Sequence, residues 1–324
     1  MRSIAAPQGG TLRSTPMPAS NFRADHRDTP SWLLVAAMIL SFLVAQQDDR
    51  FTVDPLRAVP AVVSLLALGG ALAIGRYSAR PRLAAGARAF LQMTLFTLFG
   101  VVLAYALAAK SGTLWDARLA AADRAVGFDW PVVLALLDQC PPLIWLLGLA
   151  YHSLTVQMIV VIVALSGMGK FDTLRTMVCA AILSGFVTIL ISGLTPAMGN
   201  LFDPARYVHL WPSIAWLEQG LISGLRDGSL RVLDLTMLMG IVSFPSFHAT
   251  LAAIFIWAFG AMPRLAGPGR AWAILTIVAT PVFGGHYGVD VLMGLLLAPP
   301  AIVAAQRLTQ RRQPCPQPGP GLPA

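Results

Sequence analysis

Charge is what this sequence has least of: Asp, Glu, Lys and Arg make up 12% of its 324 residues, against about 25% in a soluble domain. That scarcity excludes an ordinary water-soluble enzyme. With 56% hydrophobic residues and a mean hydropathy of +0.68, the apolar surface exceeds what a water-soluble core can hide, and the remainder must face lipid. Cysteine is scarce too. Cys140, Cys179 and Cys315 show no short spacing, which argues against a disulfide framework and a zinc knuckle. Acidic residues are outnumbered, 15 to 23, for a net charge of +8 and a pI near 10.1. In a soluble protein that excess would admit nucleic acid as a partner; in a membrane protein it records topology.

A helix needs about 20 mostly apolar residues to cross the hydrocarbon core. Runs of that kind predict spans at about 31–46, 58–76, 89–109, 142–166, 174–194, 245–262, 270–285 and 286–306. The first and seventh are short, and the last two run together through Gly284-Gly285, so six to eight spans are expected, with eight as the working number. Assigning the intervening segments alternately to two sides leaves 15 basic residues on the side of the N-terminus and 8 on the other. By the positive-inside rule both termini are then cytoplasmic. The fold class expected is all-α, a polytopic integral membrane bundle at residues 30–312. The polar segment 1–29 and the Pro-rich segment 313–324 are expected to be disordered tails. Two long outward loops, 110–141 and 195–244, hold eight acidic residues: Asp116, Asp123, Asp129, Asp138, Asp203, Glu218, Asp227 and Asp234. Long ordered loops tend to be functional.

Ionisable groups near membrane depth are functional hypotheses by default. Three stand out: His248 in Ser243-Phe-Pro-Ser-Phe-His-Ala-Thr250, and His286 with Asp290 in Gly284-Gly-His-Tyr-Gly-Val-Asp290. Four residues apart, His286 and Asp290 share one face of a helix. The carboxylate can fix the imidazole tautomer and leave the other ring nitrogen as base or nucleophile. In the eight-span topology His248 and His286 lie on the same outer face. One histidine held by an aspartate and one free suit in-line displacement at phosphorus. The same three residues have the types for a metal site, but no closer-spaced ligand set accompanies them.

These motifs resemble those of the type 2 phosphatidic acid phosphatase superfamily, an all-helical group of lipid phosphatases and phosphotransferases. Pro245-Ser-Phe-His248 is similar to its second motif and His286-x-x-x-Asp290 to its third. Phe247 stands where many members have Gly, Ala279-Thr280 where many have Ser-Arg, and the Lys/Arg first motif is absent. Those departures are similar to the inositol phosphorylceramide synthase branch, and bacterial relatives share the Gly127-Phe-Asp-Trp-Pro131 and Thr195-Pro-Ala-Met-Gly-Asn200 stretches. The resemblance covers roughly residues 89–306. It implies His286 as nucleophile, Asp290 as its orienting group and His248 as general acid. It further implies Ser246 on a phosphate oxygen and Arg231 as phosphate clamp, with Arg206 second. The resembling family works without metal, and no cofactor is expected.

Fewer cations than the family pattern suit a singly charged phosphodiester better than a dianion. Water as acceptor makes a phosphatase; inositol or a sugar alcohol makes a phosphotransferase. The expected setting is a bacterial inner membrane, with the site at the outer leaflet and a lipid phosphate as substrate. Tyr151, His152 and Gln157 form a polar cluster that could line a headgroup pocket or bond helix to helix, worth about 0.6 kcal/mol each; the second role is favoured. Trp32, Trp115, Trp130 and Trp211 read as interfacial anchors. The alternative function is a non-catalytic transporter or scaffold that keeps the fold. Transport predicts midplane charges, whereas these lie at one face. The outer side carries eight basic residues against eleven acidic, so placed groups and not a basic field must hold a phosphate, and nucleic acid is no partner.

Overall fold

The computed structural model describes residues 26–47 and 51–310, and the expected tails otherwise lie outside the described residues. The helices in chain order are α1 (Thr29–Ala45), α2 (Pro55–Tyr77), α3 (Pro81–Lys110), α4 (Asp116–Ala125), α5 (Trp130–Asp138), α6 (Pro141–His152), α7 (Leu154–Gly167), α8 (Phe171–Leu194), α9 (Ile214–Asp227), α10 (Phe247–Phe259), α11 (Ala266–Gly284) and α12 (Gly288–Thr309). In α1, α2, α3, α5 and α6 a proline opens the first turn, where its missing N–H loses no helical bond. The fold is an all-α membrane bundle, as the sequence predicts.

Each of the eight expected spans is helical, the fourth as α6 and α7 with a break at Ser153. Among the described residues five helices are individually long and apolar enough to cross a membrane: α1 with its preceding turn, α2, α3, α8 and α12. The pair α5 and α6 would make a sixth, but it bends by 113°, so α5 turns away from the axis of α6. Helix α10 is shorter, at 13 residues. Its length is completed by the buried chain leading into it.

The bundle has two well-defined ends. At one, Asp28 pairs with Arg88 and, at 3.2 Å, with Arg175, while Arg27 meets Asp172 at 2.6 Å. Asp28 is buried in this ion-pair cluster. At the other end strand β1 (Thr52–Val53) pairs in parallel with β2 (Val232–Leu233), which ties the α1–α2 turn to the segment after α9.

Helix α8 is the axis, packed against α1, α3, α7, α10 and α12. Its stretch Cys179, Ala180, Ala181, Ser184 and Gly185 is small and buried, and small residues let helices approach closely without a solvophobic drive. At Gly185 an added Cβ would fall 2.2 Å from the Phe96 ring. Helix α2 is the opposite case: among the described residues its main packing is against α3, and Leu56, Val63 and Leu66 are left exposed. Trp211 is no simple anchor, since it sits over Gly148 and against Phe283, and Trp130 donates its indole N–H to Asp123.

Candidate active site

Helix α10 begins at Phe247 because Ser246 caps it, its Oγ accepting from the Ala249 amide at 3.4 Å. The Ser246 amide in turn donates to the Asp290 carbonyl at 2.9 Å, and Thr250 Oγ1 donates to the Gly294 carbonyl at 2.9 Å. These bonds stitch the start of α10 to the first turns of α12. The two sequence motifs are thereby brought side by side.

Helix α12 begins with its own arrangement of acceptors. Asp290 reaches back to the Tyr287 amide at 3.0 Å, the third-residue half of a capping box. Its Oδ2 also accepts from the Ser243 hydroxyl at 2.8 Å and lies 3.4 Å from His286 Nδ1. The carbonyl of Ser243 is 3.0 Å from the same ring nitrogen. Both neighbours of Nδ1 are acceptors, so the proton resides there and the lone pair on Nε2. His286 and Asp290 are both buried.

The half-buried His248 ring faces this pair, 6.1 Å from the His286 ring between centroids. Tyr151 of α6 stacks on its far side at 4.7 Å. The two histidines line a narrow cleft together with Tyr151, Met198, Gly199, Ala215, Glu218 and Ser243. No Arg or Lys lines it. Glu218, on the outward α9, is buried within the apolar stripe Ala215, Ile222 and Leu225, and burial pushes its carboxyl up to about 8.

The other expected site residues lie elsewhere. Ser246 is fully buried, and its hydroxyl is the α10 cap and does not line the cleft. Arg231 is drawn to the carboxyl end of α9, donating to the Leu225 and Leu230 carbonyls at 2.9 and 2.8 Å, with its guanidinium 5.2 Å over Phe51. A helix end leaves carbonyls unsatisfied, and the arginine meets them there. Arg206 is on the surface, 3.8 Å from Asp203 with 79% of its side chain exposed. Within the polar cluster of α6 and α7 only Tyr151 reaches the cleft. His152 is exposed, and Gln157 bonds Thr276 of α11 at 2.8 Å, the helix-to-helix role.

Sequence reading did not single out Ser243, Asp116, Asp123 or Tyr287. Asp123 accepts from the Gly288 and Val289 amides at 2.7 and 2.8 Å, besides Trp130 at 2.5 Å, and so caps α12 from outside. Asp116 accepts from Met198, Gly199 and the Tyr287 hydroxyl at 3.0 to 3.1 Å. Seven residues apart, the two lie on one face of α4, a signal present in the sequence. The ring of Phe128 packs on Gly288. The Gly127-to-Pro131 and Thr195-to-Asn200 stretches thus hold the start of α12, and with it Tyr287 beside His286, in place. Among the described residues no group of three or more His, Cys, Asp or Glu is placed to hold a metal ion.

A family description, the PAP2 superfamily, matches residues 117–304, more than half of the chain. The chain belongs to the PAP2 superfamily. No curated protein and no solved structure matches it. The PAP2 match takes in every residue of the cleft and leaves α1 to α3 outside. PAP2 membership supports a phosphatase-type enzyme acting on lipid phosphates in a membrane.

Proposed function

We propose that the protein is a lipid phosphatase or phosphotransferase that works through a phosphohistidine on His286. The observation that carries this reading is the pinned ring of His286, whose Nδ1 has two acceptors and whose Nε2 is left for attack in a cleft shared with His248. Nε2 attacks phosphorus, the N–P bond forms and the ester P–O bond breaks. The leaving oxygen takes a proton from His248, and Asp290 balances the charge that gathers on the phosphorylated ring. An acceptor hydroxyl then gives its proton back to His248 and attacks phosphorus. The new P–O bond forms as the N–P bond breaks, and both histidines are restored. The two ring centroids lie 6.1 Å apart, and both imidazoles line the same cleft.

Charge count favours a singly charged phosphodiester over a dianionic monoester, because the cleft has no Arg or Lys in its lining. The concentration of basic residues at the N-terminal end supports an inner-membrane orientation with the cleft at the outer leaflet. Ala279-Thr280 and Phe247, similar to the inositol phosphorylceramide synthase branch, support an alcohol acceptor such as inositol or a sugar alcohol. The test is purified protein with labelled lipid mono- and diesters, with and without alcohol acceptors. His286→Ala and His248→Ala are each expected to lose at least about 10³-fold in turnover, and labelled phosphohistidine is expected only where His286 is present. Wild-type turnover by either variant would end this assignment.

A further inference from the structure

We propose that Glu218 is a substrate-contacting residue of the same cleft, a neutral carboxylic acid that donates a hydrogen bond to a non-bridging phosphoryl oxygen where a cation would otherwise stand. The inference rests on the functional reading above and extends it to a residue that neither histidine motif contains.

Four observations converge on it. Helix α9 is set by its Ser213 cap, whose Oγ accepts from Trp216 at 3.3 Å, and its first turn presses on the cleft's edge, where a Cβ at Gly285 would fall 2.4 Å from Ala215. One turn on, Glu218 occupies the buried stripe between Ala215 and Ile222, at 5% exposure. Acids avoid such stripes because desolvation disfavours them. Glu218 nonetheless lines the cleft with Tyr151, His248 and His286. Its carboxyl has no hydrogen-bond or ion-pair partner among the described residues, and Oε1 is sealed from solvent. A buried polar group without a protein partner calls for another one, and the cleft that Glu218 lines with both histidines is where one can enter.

The protonation state follows from the surroundings. The titratable groups around Glu218 are Tyr105 from α3, Tyr151 from α6, His248 from α10 and His286 from the α11–α12 junction. Tyr105 has its hydroxyl engaged with the Met239 carbonyl at 2.9 Å. None is an arginine or lysine that would hold Glu218 ionised. Burial holds it protonated at neutral pH, with its pKa at about 8. A neutral donor suits a phosphate that carries one charge. Ionised, the same group would repel it.

The experiment compares full-chain wild type with Glu218→Gln and Glu218→Ala in detergent. It measures kcat/KM on a short-chain lipid phosphodiester across the pH range. Independently of any turnover, it also follows the ³¹P line broadening of dibutyl phosphate, which stays a monoanion throughout. Wild-type binding is expected to fall about tenfold for each pH unit above the carboxyl's pKa. Glu218→Gln, which keeps a donor and cannot ionise, is expected to bind within a few-fold of wild type at neutral pH and to lose the alkaline fall. Glu218→Ala is expected to weaken binding and kcat/KM about 10- to 100-fold while its thermal unfolding stays cooperative. A Gln variant as impaired as the Ala variant would overturn the proposal in favour of a proton-accepting role. An Ala variant with wild-type binding and pH profile would overturn it outright. Both results are readable in the probe titration even if the lipid substrate is misassigned, so failure of the phosphohistidine reading is distinguished by the absence of trapped phosphohistidine.

Discussion

Ser243 holds Asp290 and His286 with two different groups: its carbonyl accepts from His286 Nδ1 at 3.0 Å, and its hydroxyl donates to Asp290 Oδ2 at 2.8 Å. Ser243 therefore bears on the His286 tautomer through its backbone, and its side chain bears only on the aspartate's orientation. Ser243→Ala is expected to lower kcat/KM by about tenfold, the loss of one bond to a charged group. Asp290→Asn is expected to cost about 10³- to 10⁴-fold, as loss of the orienting carboxylate does in other histidine-based sites. Steady-state kinetics on the same lipid substrate checks the ratio, and equal losses for the two variants would show that the hydroxyl and not the carbonyl governs the ring.

Asp123 provides a test of how the site is supported from outside the bundle. Its buried carboxylate satisfies two amides at the start of α12 and the Trp130 indole. Asp123→Ala leaves those donors without a partner and is expected to destabilise the protein by about 3 kcal/mol or more. Thermal unfolding in detergent should show a clear drop in midpoint, with activity lost as α12 shifts. Asp123→Asn, which keeps one acceptor, should fall between. No change in midpoint would mean that α12 is fixed by other contacts.

Arg231 separates a structural from a binding role. With its guanidinium on the Leu225 carbonyl of α9, on the Leu230 carbonyl beyond it and over Phe51, Arg231→Ala is expected to cost about 1 to 2 kcal/mol of stability and to leave KM within about twofold of wild type. A large rise in KM at unchanged stability would return the arginine to the phosphate.

Much of this was legible in the sequence, and what was not has physical causes. Apolar length marked the helices, and the two histidine motifs marked residues that come together, although His286 stands in the turn before α12 and not on one helix with Asp290. The arginines could not be placed, because nothing in the string says whether a guanidinium points to a cleft or to the carbonyls of a neighbouring helix end. Glu218 looked like one acid among eight in the outer loops; only its register within Ala215, Ile222 and Leu225 marks it as buried. The length of the fourth span concealed the break at Ser153, where α6 ends and α7 begins. Asp116 and Asp123 were two among eight loop acids, since most of their partners are main-chain amides on distant segments, and amides carry no sequence signature.

Over the cleft the chain touches itself backbone to backbone. The Asn200 amide donates to the Gly285 carbonyl at 2.6 Å, and a Cβ on Gly199 would sit 2.5 Å from that oxygen. Gly199 and Gly285 also have φ of +104° and +71°, a region that side chains disfavour. Divergence at these two positions is therefore closed off however freely the surrounding loop drifts. Homologues that share this chemistry should keep glycine at both, whereas a lineage that has lost the pair would mark a protein in which the roof, and with it the geometry around His286, has been rebuilt.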